Sequence, residues 1–131
     1  MPSDPIPAAL VGAWRLSAWE ERDDTASDWR SPLGPGADGL LLCDGSGAVS
    51  FQLTAPAAHI PYAGLFGRAV VVSADGVRGE LRILLDAVHP PGFSDDGVAR
   101  AFVLHGDILE FGDAATWRRT FTRVTRSAAE M

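Results

Sequence analysis

From Gly12 onward the chain alternates short apolar and polar stretches with clusters of turn residues, which is the rhythm of an antiparallel sandwich or barrel. Residues 77–86 are the clearest case. Val77, Gly79, Leu81, Ile83 and Leu85 fall on one parity, and Arg78, Glu80, Arg82, Leu84 and Asp86 on the other. Such a period of two gives a strand one buried face and one wet face. The same reading predicts strands over residues 13–22, 39–43, 48–53, 65–73, 98–105, 108–111 and 116–124. Four turns between them are explicit: Asp44-Gly45-Ser46-Gly47, Ala74-Asp75-Gly76, His105-Gly106-Asp107 and Gly112-Asp113. Each sets Gly, or Asp beside Gly, where a tight hairpin needs positive φ. Residues 23–38, with a candidate strand over 26–30, and residues 55–63 resist the scheme. One helical turn is expected before the strands, capped by Ser3-Asp4-Pro5 and running into Ala8, Ala9, Leu10 and Val11.

About eight strands joined mostly by hairpins, with no crossover helices, protect their edges by closing on themselves. The expected fold is all-β: a single up-and-down antiparallel barrel with a short N-terminal helical turn. A barrel of that strand number can enclose one small ligand. Its 131 residues suit one domain over 1–131, with 1–9 as a lead-in and 125–131 as a flexible tail. A hydrophobic content of 47% is enough for a packed core.

Charge narrows the partners. All 11 basic residues are Arg, there is no Lys or Asn, and 17 acidic residues bring the net charge to -6. Arginines scattered among acids make no basic face that could displace counterions from nucleic acid. The missing AT-rich codons of Lys and Asn point to a high-GC bacterial source. Cys43 stands alone, so an intramolecular disulfide and a Cys/His zinc cluster are both ruled out. Met1 to Leu10 holds Asp4 and three prolines, unlike the basic and apolar regions of a Sec-type signal. Apolar runs such as residues 69–72 fall far short of the roughly 20 needed to span a bilayer. The expected location is the cytoplasm, with no membrane partner.

The segment Leu10-Val11-Gly12-Ala13-Trp14-Arg15-Leu16, followed by Trp19 and Glu20, resembles the opening strand of the bacterial lipocalin-like domain family. The likeness continues in order through Gly34-Pro35-Gly36-Ala37-Asp38-Gly39-Leu40 and Asp44-Gly45-Ser46-Gly47-Ala48-Val49-Ser50-Phe51-Gln52-Leu53. Tyr62-Ala63-Gly64-Leu65-Phe66-Gly67, Val98-Ala99-Arg100-Ala101-Phe102 and Trp117-Arg118-Arg119 complete it. Where relatives often carry paired histidines, this chain has Arg78-Gly79-Glu80-Leu81, so no histidine role is carried over. The resemblance implies a calycin-type barrel with an internal pocket and says little about a reaction. It also implies that a first-strand Trp, here Trp14, closes the base of the barrel beneath a last-strand Arg. Arg119 is preferred to Arg118 for that role, because it shares parity with Trp117 and Phe121.

If Trp14 points inward, alternation carries Leu16, Ala18 and Glu20 inward with it. A carboxylate at the mouth of an apolar pocket would be desolvated toward a useful proton-transfer range, which makes Glu20 the first catalytic candidate and Glu21 its control. A solvated Glu20 paired with an Arg is the alternative. Ser50 and Gln52 share a face. If it is the inner one, Gln52 could hold a ligand carbonyl. Arg100 lies with Phe102 and Leu104, so it needs a partner such as Glu20 or Glu110, or a ligand. Trp19, Trp29, Tyr62, Phe66 and Phe93 are candidate cavity aromatics. His59 and Tyr62 belong to a candidate lid over 55–63, and Phe93 to a rim segment that starts at His89. No histidine has a second ligand at metal-site spacing, and neither a phosphate loop nor a dinucleotide fingerprint is present. A metal site and a cofactor are therefore not expected.

The first functional reading is a barrel that binds a hydrophobic small molecule and cyclises or isomerises it without a cofactor, on a polyketide-like substrate of bacterial secondary metabolism. Glu20, Gln52 or Arg100 would polarise that substrate. A non-catalytic intracellular binder or carrier comes second. Third is a homodimeric interaction module with a filled barrel.

Overall fold

A computed structural model describes residues 6–59, 61–94, 97–113 and 115–124. One 3-10 turn, Ala8–Leu10, precedes eight strands: β1 (Gly12–Glu21), β2 (Asp38–Cys43), β3 (Ala48–Thr54), β4 (Tyr62–Asp75), β5 (Arg78–His89), β6 (Ala99–His105), β7 (Ile108–Gly112) and β8 (Trp117–Arg123). Each pairs antiparallel with the next, and β8 returns to β1, so the sheet is a closed up-and-down barrel. The expected all-β fold is therefore the one that forms. No helix among the described residues is long and apolar enough to cross a membrane.

Several local details differ from the expectation. β4 runs longer than residues 65–73 at both ends, because Tyr62 to Leu65 pair with β3 and the segment to Asp75 pairs with β5. The candidate strand over 26–30 is reduced to one bridge, Glu21 with Arg30. The helical turn is capped at Pro7 with no side-chain hydrogen bond, while Ser3-Asp4-Pro5 and the tail 125–131 lie outside the described residues. Gly47, Gly76 and Gly106 take the positive φ that the hairpins require. Gly112 does not. Its turn is held instead by Asp113, whose carboxylate accepts from the Ala115, Thr116 and Trp117 amides.

Up-and-down winding puts one set of connections at each end. The short turns at 44–47, 76–77 and 106–107 close the base, and β1, β3, β5 and β7 end at the opposite rim, the mouth, where β2, β4, β6 and β8 begin. Inward side chains fill the base half. Trp14 and Leu109 are each 0% exposed, and Phe102, Leu104 and Leu81 pack around them. Two bulges matter for what faces inward. One lies between Leu16 and Ala18 on β1, and another shifts the β4–β5 pairing after Phe66. Each flips the inside-outside alternation of the residues beyond it.

Candidate functional site

The base of the barrel is a plug. Trp14 lies opposite Arg123 in the β1–β8 register, and the Arg123 guanidinium covers the indole at 4.2 Å from the ring centroid. Trp14 Nε1 donates to the Leu10 carbonyl at 3.0 Å, and Arg123 donates to the Val11 and Ala9 carbonyls. Together these bonds tie the 3-10 turn across the bottom. The Trp–Arg closure is present, but the arginine is Arg123 and not Arg119. Parity alone admits either, because both face inward; the register decides, and it sets Arg119 four residues nearer the mouth.

The mouth half is open. A cavity of about 140 Å³ is walled by Trp19, Leu41, Phe51, Leu65, Ile83 and Phe93, with Phe111, Trp117 and Phe121 completing the ring and Arg100 and Arg119 at its upper edge. Above it, an open depression of about 370 Å³ is lined by Glu21, Arg22, Thr116 and the shared residues Arg100, Trp117 and Arg119. The Trp19 ring is near-parallel to those of Phe51 and Phe93, with centroids 6.3 Å and 6.2 Å away. Arg119 lies 3.7 Å over the Trp19 ring. Its Nη2 reaches Glu21 at 3.3 Å and its Nη1 donates to the Glu20 carbonyl. Burial pushes the Arg119 guanidinium down from the usual arginine range, since a charge in an apolar wall loses hydration. Arg100, on the same face of β6 as Phe102, donates to Ser94 Oγ at 2.6 Å.

No protein-family model, curated protein or solved structure matches the chain.

Of the residues singled out from sequence, Trp19, Phe93 and Arg100 meet at the cavity. The others do not. The β1 bulge reverses the parity that carried Glu20 inward, so Glu20 faces out and binds Arg118 Nε at 2.7 Å. Glu21, expected on the outside, stands at the mouth. Trp29 packs outside the wall, between the guanidinium groups of Arg22 and Arg118, each 4.1 Å from its centroid. On β3 the inward set is Val49, Phe51 and Leu53, which leaves Ser50 and Gln52 on the outer surface. There Gln52 accepts from the Tyr62 hydroxyl and donates weakly to Ser50. Tyr62 and Phe66 are likewise outward and exposed, and Phe66 lies beside Leu42 over an outer groove. His59 is exposed on the 55–61 connection. The partner proposed for Arg100 is not Glu20, which Arg118 already holds.

Several cavity residues escaped the reading. Leu41, Leu65 and Ile83 carry no signal beyond inward parity, which marks core and cavity wall alike. Trp117 and Arg119 were recognisable as inward, but only the register shows them at the mouth. What the assembled site can do is hold a flat apolar body between aromatic rings while offering cationic donors at one end.

Proposed function

We propose that the barrel binds one small, mainly apolar molecule in its mouth half. The observation that carries this is the contrast between the two ends. The base is packed solid around Trp14, while about 140 Å³ remains open within a ring of aromatic side chains. That space far exceeds the roughly 10–15 Å³ that admits one water. It is smaller than the roughly 300–1,000 Å³ of pockets that bury a drug-sized ligand. A bicyclic ring system suits it, with any polar end rising into the open depression above. The ordered likeness to the bacterial lipocalin-like domain family supports the same reading.

Cofactor-independent cyclisation or isomerisation of the bound molecule is the second reading. Arg100 and Arg119 at the edge of an apolar cavity favour it, because fixed cationic donors there would stabilise charge developing on a substrate oxygen. Glu20 and Gln52 have no part in it, since both lie on the outer surface; Glu21 replaces them as the acidic group at the mouth.

Titration with 2-naphthamide, a neutral probe of the right size, tests the binding. Saturable one-to-one binding with quenching of tryptophan emission is expected, and Ile83→Phe, which fills the cavity, should weaken it at least tenfold. Absence of saturable binding, or an affinity untouched by Ile83→Phe, would sink the proposal. Recovery of a bound molecule unchanged after incubation supports a carrier, and its conversion supports an enzyme.

A further inference from the structure

We propose that Ser94 makes the pocket selective for a carbonyl: a flat aromatic ketone or aldehyde whose oxygen accepts from the Ser94 hydroxyl. This rests on the pocket reading above and adds the ligand's polar group to it. Ser94 is half-buried and supplies the one hydroxyl among the described residues that wall the cavity. Its Oγ accepts from Arg100 Nη2 at 2.6 Å. Among the described residues that is the only hydrogen bond Ser94 makes, so its own proton has no acceptor there.

A serine hydroxyl offers one donor and two acceptor sites, whereas a guanidinium only donates. The bond from Arg100 therefore turns the Ser94 proton away from the guanidinium, and a charged donor polarises the hydroxyl on which its bond ends. That makes Ser94 a stronger donor and a weaker acceptor. Neither arginine has to be free for this: Arg119 is paired with Glu21, and Arg100 has an interaction besides its bond to Ser94. No carboxylate or amide side chain stands among the described cavity residues, so the polar group of a ligand meets donors there. The segment is fixed on both sides of Ser94. Phe93 N donates to the Pro90 carbonyl and Gly97 N to the Ile83 carbonyl, and the Phe93 ring lies near-parallel to Trp19. Ser94 follows Phe93 directly, so a carbonyl attached to the ligand's ring reaches the hydroxyl while the ring stays among the aromatics.

Two probes of nearly one shape separate the hydrogen bond from the fit: 2-acetonaphthone, carrying carbon-13 at its carbonyl, and 2-isopropenylnaphthalene, which has no acceptor. Both should saturate at one site of the native protein. The carbonyl carbon of the bound ketone should resonate downfield of its position in hexane, as a hydrogen-bonded carbonyl does. Ser94→Ala should remove most of that shift and weaken the ketone about three- to tenfold, the scale of one hydrogen bond. The same variant should leave the hydrocarbon within twofold. A hexane-like carbonyl in the native complex would overturn carbonyl selection and leave the pocket standing. A downfield shift that survives Ser94→Ala, or an equal loss of affinity for both probes, would overturn the assignment to this hydroxyl. Failure of both probes to bind would overturn the pocket itself. If Ser94→Ala does not fold, the native complex and Ser94→Cys, whose thiol is only a weak donor, still decide by the size of the shift.

Discussion

The base closure makes the most quantitative prediction, because it distinguishes two arginines on one strand. Trp14→Leu removes a fully buried indole, strands the Leu10 carbonyl that Nε1 now satisfies, and deletes the ring beneath Arg123. Large-to-small changes of this kind cost about 3–5 kcal/mol. Arg123→Met keeps the apolar stem but loses the bonds to the Val11 and Ala9 carbonyls and the contact with Asp107. Roughly 2–3 kcal/mol is expected, at the scale of hydrogen bonds from a charged donor. The two losses overlap in the guanidinium–indole contact, so the double variant should be less destabilised than their sum by about 0.5–2 kcal/mol.

A parallel cycle of Trp14→Leu with Arg119→Met should be additive to within about 0.5 kcal/mol, as for side chains with no shared partner. Urea unfolding followed by circular dichroism provides the free energies, in sodium sulfate so that the double variants remain folded at zero urea. Strong coupling of Trp14 to Arg119, with none to Arg123, would show that the register deduced for β1 and β8 is wrong.

Other consequences can be checked separately. At Gly67 a Cβ would meet the Leu84 carbonyl oxygen at 2.0 Å, so Gly67→Ala must force β4 from β5. A loss of roughly 2–4 kcal/mol is expected, and an unchanged calorimetric midpoint would count against the tight bulge there. Glu20→Gln breaks a surface pair with Arg118 and should cost less than about 1 kcal/mol. It should leave 2-naphthamide affinity within twofold in titration, whereas a large loss of affinity would return Glu20 to the pocket. Asp113 is held well below the usual carboxylate range, first by the Thr116 hydroxyl and then by backbone amides. Its folded pKa is lower than its unfolded one, so its contribution to stability is present above about pH 4 and drains away as pH falls further. Asp113→Asn should therefore flatten the decline of the urea midpoint between neutral and strongly acid pH, and an unaltered slope would contradict the assignment.

Periodicity alone determined the barrel. Alternation in residues 77–86 and Gly-Asp turns between the apolar stretches leave an antiparallel sheet few ways to bury one face and hide its edges, and both are local properties that a linear chain displays. The same logic correctly sets Arg100 among Phe102 and Leu104, and puts Arg119 on the inner face with Trp117 and Phe121.

Parity, however, counts residues without knowing where a bulge adds one. The extra residue near Ser17 turns Trp19 and Glu21 inward and Glu20 outward, a change that no property of Glu20 or Glu21 announces. Register is equally silent in the chain: Arg119 and Arg123 read alike until pairing across the closed sheet puts one at the mouth over Trp19 and the other at the base over Trp14. Which face of β3 is inner, and so whether Gln52 or Phe51 meets a ligand, also depends on its neighbours. Tertiary structure decided these points because closure of the barrel fixes depth along its axis, and depth separates a packed plug from an open pocket.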